Sequence, residues 1–526
     1  MRILGIHAIG HDTGAALVED NRVLHSVETE RLTRRRFDHR VGKAIDFILS
    51  RPGCGLETVD AVAVSTPIGH DEVHVADIDA VMATLSGKVQ THVQTRCRIR
   101  DRELPCLVVT HEASHAMLAV HYAGYRNRCL VLVNEGQGQF SQNALFVYQD
   151  GELTWRETDA LPWFGRGLGW TGIGVLFGMG NSPGVAGKLM AMGGYGRPDA
   201  RTEGRLREIR DEVTTDRGYA YSVAEELDAE GFLGDFDRRA TIVATFQEMF
   251  SEAVVKLVTS RMARYACDHV ALGGGCGLNI VTNTVLRDTY GIHPHLAPAC
   301  NDSGHPLGAV AYANLVLTGQ PLDPFPFYLT GTAETDDEMA DALKAAGMSP
   351  EPIDLDRIVL ELAGGGVVGF LRGRAESGPR ALGHRSLLGN PDAPGMRQRI
   401  SEGLKSREWY RPLAAMLTDE RFDRLYPDAP RSPHMLFDYT LPEGVMPQAR
   451  HADGTSRLQT VSARDEPVLH DLLTRFSGAT GTPGLINTSL NAAGRAIALT
   501  CDDMLTDFMR SDVGLFVAGD VMAARG

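Results

Sequence analysis

Short, almost unbroken apolar runs recur along the first part of the chain, at residues 2–6, 15–18, 61–65, 107–110 and 130–134, with longer helix-like stretches between them. Runs of this length predict strands, and their alternation with longer helix-like stretches predicts an α/β fold. The pattern breaks at residues 319–326, Gly-Gln-Pro-Leu-Asp-Pro-Phe-Pro, whose proline and glycine read as a linker. We therefore divide the chain into domains 1–325 and 326–526. Beyond the break, residues 336–346 predict an amphipathic helix and 366–371 a strand. Residues 187–196 read as a glycine-rich loop, and the acidic stretch 214–234 as a surface helix or loop.

A length of 526 residues exceeds what one hydrophobic core usually supports, which agrees with two domains. With 43% apolar and 23% charged residues the composition is that of a globular protein, and no apolar run is long enough to suggest a membrane span. Residues 1–6 enter a strand directly without a secretory pattern, so the cytoplasm is the expected location. Eight cysteines occur without any C-x-x-C pair and predict free thiols. A net charge of −15 argues against nucleic acid or an anionic membrane as partner. Local basic clusters in so acidic a chain then require their own explanation.

After the strand 107–110 comes His111-Glu112-Ala113-Ser114-His115, where a helix start would set two imidazoles one turn apart on one face. The same residues match H-E-x-x-H, the signature of a zinc metallopeptidase with Glu112 as general base, which stands as the alternative reading. Glu135 and Asp302 lie beside glycines at predicted element ends. Two histidines with two carboxylates make a mixed nitrogen and oxygen set, suited to iron(II), manganese or zinc.

Near the N-terminus, His11 and Asp12 occupy a turn between two strands, where a phosphate or a metal-bound water could be met. Gly274, Gly275 and Asn279 follow the apolar run 270–272 without Walker A or dinucleotide spacing. Together with Lys188 they read as a nucleotide pocket of the actin-like ATPase kind. The last domain concentrates cations in Arg374–Ser386 and in Lys405-Ser406-Arg407-Glu408-Trp409-Tyr410-Arg411-Pro412, followed by Arg457 and Asn487. Guanidinium forks suit phosphate, and an asparagine amide can both donate to and accept from a carbamoyl group.

Taken together these motifs resemble the NodU/CmcH family of O-carbamoyltransferases over almost the whole chain. The resemblance implies an N-terminal actin-like ATPase (TsaD-like) domain and a C-terminal α+β YrdC-like domain. It implies that the second makes carbamoyl adenylate from carbamoyl phosphate and ATP, with Mg, and that the first transfers the carbamoyl group to a hydroxyl of a small-molecule natural product. Arg380, Lys405, Arg411, Arg457 and Asn487 fall in the family's motifs for carbamoyl phosphate and ATP. His111, His115 and Asp302 fall on its metal ligands. Glu135 stands where the family has aspartate, and His384 where it usually has asparagine. His11 is the candidate general base, beside Asp12. No nucleic acid or membrane partner is expected, and a homodimer is compatible with the resemblance.

Overall fold

The computed structural model describes residues 1–65, 72–88 and 90–525. They form two compact units, Met1–Ser26 with His39–Phe325, and Val27–Asp38 with Pro326–Gly526. The chain thus leaves the first unit early and contributes residues 27–38 to the second, an excursion that the sequence pattern does not announce.

In the first unit the strand Arg2–His7 pairs antiparallel with Gly14–Glu19, Ile3 opposite Val18, and parallel with Ala61–Ser65. Ala61–Ser65 in turn pairs parallel with Arg102–Val109. A five-stranded sheet follows, in the order Glu152–Thr158, Asn143–Gln149, Cys129–Asn134, His269–Gly273 and His295–Leu296. Ile3, Val18, Ala63 and Leu107 of the first sheet share one core with Val131, Val133 and Phe146 of the second. Two helices, His111–Tyr122 and His305–Thr318, contribute Ala116, Met117, Val120, Ala309 and Val310 to that core. Both are buried around their whole circumference over most of their length, as a helix rich in small and apolar residues on every face should be. Gly308 permits their close crossing, because a Cβ there would stand 2.1 Å from the Ser114 carbonyl oxygen.

The strand expected at 107–110 is longer, Arg102–Val109, and Thr110 is instead the N-cap of the helix His111–Tyr122, accepting a hydrogen bond from the Ala113 N–H. The glycine-rich loop expected at 187–196 is corrected: Val185–Gly193 is a helix. Burial of Val185, Leu189 and Met192 along one face outweighs the roughly 1 kcal/mol that Gly187 costs a helix. The acidic stretch 214–234 contains the helix Arg217–Ala229.

The second unit is built on a nine-stranded mixed sheet, with Val367–Leu371 between Leu515–Ala518 on one side and Arg385–Gly389 on the other. Val367 and Leu371 join a core with Met339, Leu343, Met504 and Phe508, whereas Val368 and Phe370 join another with Ile358, Leu362, Leu469 and Phe476. Strand alternation therefore buries both faces of the sheet under helices. The first unit is α/β as expected, and the second combines helices with a mixed parallel and antiparallel sheet, in keeping with the α+β class expected there. Among the described residues no helix is long and apolar enough to cross a membrane.

Candidate metal centre and anion pocket

Each of the two buried helices begins with a histidine, and the two N-termini converge. His111 and His305 are the first residues of their helices, and Asp302 lies in the short 3-10 turn just before the second. His115 Nε2 lies 2.8 Å from one Glu135 oxygen and His111 Nε2 2.9 Å from the other, so this carboxylate spans the pair. Asp302 Oδ1 is 3.3 Å from His115 Nε2 and 3.8 Å from His111 Nε2. His305 Nε2 stands 3.3 Å from His111 Nε2 and 3.7 Å from Asp302 Oδ1. One ligand atom from each of His111, His115, Asp302 and His305 lies within 4.8 Å of the other three.

Electrostatics follow from this crowding. Burial opposes charge on His115, but Glu135 and Asp302 outweigh it and raise the imidazole to about 10. Burial likewise disfavours the Asp302 anion, yet the hydrogen bond from His115 and the charge of His111 hold it far below the usual carboxylate range. His305 moves the other way, pushed well down by burial and by the charges of His115 and His111. Three imidazoles and a buried carboxylate, with a second carboxylate across two of them, fit a divalent ion of the iron(II), manganese or zinc type.

His11 and Asp12 adjoin this cluster. His11 Nδ1 is 3.1 Å from Asp12 Oδ2 and 3.6 Å from Asp302 Oδ2. Although burial lowers its affinity for a proton, the hydrogen bond to Asp12 and the field of Asp302 raise it to about 9. The glycine turn adjoins it too: a Cβ on Gly274, which has a φ of +80°, would lie 2.4 Å from the Asn134 carbonyl oxygen, next to Glu135. Asn279 caps the helix Ile280–Tyr290 by accepting from the Thr282 N–H, and donates to Gln247. Lys188 is half-buried on the helix Val185–Gly193.

A second site lies within the other unit, and its loops have identifiable supports. The buried Glu376 carboxylate accepts from the N–H groups of Leu382, His384 and Arg385 at 2.7–3.0 Å, which folds the loop bearing Arg380. Glu28 accepts from the Gly378 N–H at 2.8 Å and Arg31 donates to the Gly378 carbonyl at 2.7 Å, so residues of the early excursion hold the same loop. Asn487 donates to the Ala381 carbonyl and to Gln459 Oε1, tying the loop to the strand that carries Arg457. Both its amide protons are thereby used, and its Oδ1 has no protein partner among the described residues. His384 stacks on Tyr328 with ring centroids 3.5 Å apart and meets Glu466 at 2.9 Å, a supporting position.

Around this frame the cations converge. Burial, then Arg380, Arg407 and Arg411, push Arg457 well below the ordinary guanidinium value. Burial, then Arg411, Arg380 and Arg36, push Arg407 down to about 9. A guanidinium keeps its proton in a protein, so these shifts express the cost of desolvating cations and, after it, their mutual repulsion, which a bound polyanion would offset. Lys405 is buried beside them, its ammonium donating to the Ser489 carbonyl and hydroxyl and to Asn491 Oδ1, the last at 2.8 Å. Arg411 meets Glu408 at 3.4 Å.

Residues 2–77 and 82–311 match the carbamoyltransferase N-terminus family, and residues 359–525 the carbamoyltransferase C-terminus family. The chain belongs to the carbamoyltransferases. This carbamoyltransferase is 28% identical to the 3'-hydroxymethylcephem-O-carbamoyltransferase of Amycolatopsis lactamdurans over 98% of each chain. It is 30% identical to nodulation protein U of Rhizobium tropici over 94% of this chain and 92% of that one, which places it in the NodU/CmcH family. Among solved structures, component A of (R)-2-hydroxyglutaryl-CoA dehydratase of Acidaminococcus fermentans aligns with 60% of the chain and 99% of its own, at 13% identity and a TM-score of 0.37.

The metallopeptidase reading finds no support in the site of this carbamoyltransferase. Glu112 Oε1 accepts from the N–H groups of Phe140 and Ser141 at 2.7 and 3.1 Å, holding a loop instead of facing a metal-bound water. Neither His305 nor Arg36 belongs to the sequence motifs above, and Arg407 enters them only as part of the run 405–412. An Asp302-x-x-His305 spacing at a helix start was the available signal for the first, and the K-S-R tripeptide for the last. Nothing local marked Arg36.

Proposed function

We propose that the second unit makes carbamoyl adenylate from carbamoyl phosphate and ATP, and that the first transfers its carbamoyl group to a hydroxyl of a small-molecule secondary metabolite. The observation that carries this reading is the convergence of the half-buried Arg380, Arg407, Arg411 and Arg457, with Glu408 a carboxylate that partly offsets their charge. Such a pocket is matched to phosphate groups of two substrates.

In the first step carbamoyl phosphate takes up water and loses inorganic phosphate, leaving carbamate. A carbamate oxygen then attacks the α-phosphorus of ATP, bound with Mg, and pyrophosphate departs. The arginines offset charge that accumulates on the phosphates. Asn487 Oδ1 accepts from the carbamoyl N–H. In the second step the acceptor hydroxyl oxygen attacks the carbamoyl carbon, AMP leaves, and the hydroxyl proton passes to His11, which Asp12 orients. A divalent ion held by His111, His115, Glu135 and Asp302 would supply Lewis-acid stabilisation of the departing phosphate. Gly274, Gly275, Asn279 and Lys188 belong to the nucleotide-binding part of this reading. The names of the cephem-modifying relatives support an antibiotic-type acceptor.

Arg380→Ala should abolish pyrophosphate release from carbamoyl phosphate and ATP, whereas a fully active Arg380→Ala enzyme would remove the pocket from the reaction.

A further inference from the structure

The ring of His305 is fully buried, and both its nitrogens face polar groups. Nε2 points into the space shared with His111 and Asp302, and its ring centroid lies 4.1 Å from that of His111 and 4.0 Å from that of His115. Nδ1 lies 3.1 Å from Ser65 Oγ, and the same hydroxyl lies 3.2 Å from His7 Nδ1. His7 stacks on His305 with centroids 4.3 Å apart and planes inclined by 23°.

We propose that His305 is a metal ligand of this centre, giving it three imidazoles, and that Ser65 and His7 set the tautomer in which it ligates. The inference rests on the reading of the cluster as a metal site and extends it beyond the residues that the family resemblance supplies. A serine hydroxyl carries one proton, so between two imidazoles it donates to one and accepts from the other. With His305 Nδ1–H donating to Ser65 Oγ, and Ser65 O–H donating to His7 Nδ1, the lone pair of His305 Nε2 faces Asp302 and the histidine pair. An imidazole whose far N–H is held by a fixed acceptor is the usual arrangement at a metal. The strand ends that carry His7 and Ser65 are paired neighbours, which makes the relay rigid. Without a cation, the His305 Nε2 lone pair has only a long N–H···N contact with His111 at 3.3 Å, and in the other His111 tautomer it would face a second lone pair.

The experiment uses the full chain, stripped with a chelator and reloaded with Zn(II) or Co(II). X-ray absorption of the Zn(II) protein should give three imidazoles in the coordination sphere. His305→Gln should give two, change the visible d–d spectrum of the Co(II) form, and weaken metal binding by roughly a hundredfold. Ser65→Ala should keep three imidazoles and weaken binding by about 10- to 100-fold, as loss of an outer partner does. Two imidazoles in the wild type, or unchanged affinity and spectrum in a folded His305→Gln, would overturn the assignment while leaving a metal site on His111 and His115. Failure of the wild-type protein to take up either ion would overturn the metal reading itself and this inference with it. The wild-type count decides the question even if the His305 variant does not fold.

Discussion

Glu112 Oε1 accepts a hydrogen bond of 2.7 Å from the Phe140 N–H, and with it Glu112 turns away from the two histidines that flank it in sequence. Because a glutamine amide oxygen can replace that acceptor, Glu112→Gln should retain carbamoyl transfer within a few-fold of wild type. Glu112→Ala leaves the Phe140 and Ser141 N–H groups unpaired in a buried place and should lower stability by about 1–3 kcal/mol. Transfer assays and urea unfolding check both. A Glu112→Gln enzyme with normal stability and no turnover would return Glu112 to the chemistry.

Arg457 is held against like charges, and among the described residues it forms no ion pair with a carboxylate. Replacing it by methionine should therefore raise stability, by roughly 1–3 kcal/mol, while eliminating adenylate formation. Differential scanning calorimetry and a pyrophosphate assay read the two effects. A destabilised Arg457→Met protein would mean that the pocket is not under electrostatic strain.

These two residues show how far the sequence could lead. The buried strands and the helix at His111 were legible because period and length specify them, and Lys405 to Arg411 were legible because arginine and lysine crowd together in a chain of net negative charge. Proximity over long chain distances was not. His305 meets His111 across 194 residues, and nothing beside it in sequence announces that partner. Arg36 sits in a run of three arginines that resembles a solvated surface patch. Only the passage of residues 27–38 into the second unit, anchored by Arg34 to Asp503, Asp507 and the Ala496 carbonyl, sets its charge near Lys405 and Arg407. Gly187 failed differently, because its helix is stabilised by tertiary burial that local glycine content opposes.

Arg36 is exposed and contributes to the field on Lys405 and Arg407. Arg36→Ala should raise KM for carbamoyl phosphate or ATP by roughly tenfold, about 1.4 kcal/mol, and the loss should shrink as salt rises. Steady-state kinetics at two ionic strengths check it; an unchanged KM would exclude Arg36 from the pocket.

His11 is raised to about 9 by its hydrogen bond with Asp12 and by Asp302, against the effect of burial. A base must be neutral to accept a proton, so acceptor kcat/KM should climb with pH towards an alkaline limb. A divalent ion that neutralises Asp302 weakens its pull, so the limb of the loaded enzyme should fall below 9. In His11→Asn the limb should vanish along with most of the turnover. Persistence of both in that variant would place the base elsewhere.

The central claim is that activation precedes transfer. Mixing the enzyme with carbamoyl phosphate and ATP, omitting acceptor, and quenching in acid should yield pyrophosphate together with an equal amount of carbamoyl adenylate. An acceptor carbamoylated at full rate without ATP, with no pyrophosphate and no adenylate formed, would contradict it.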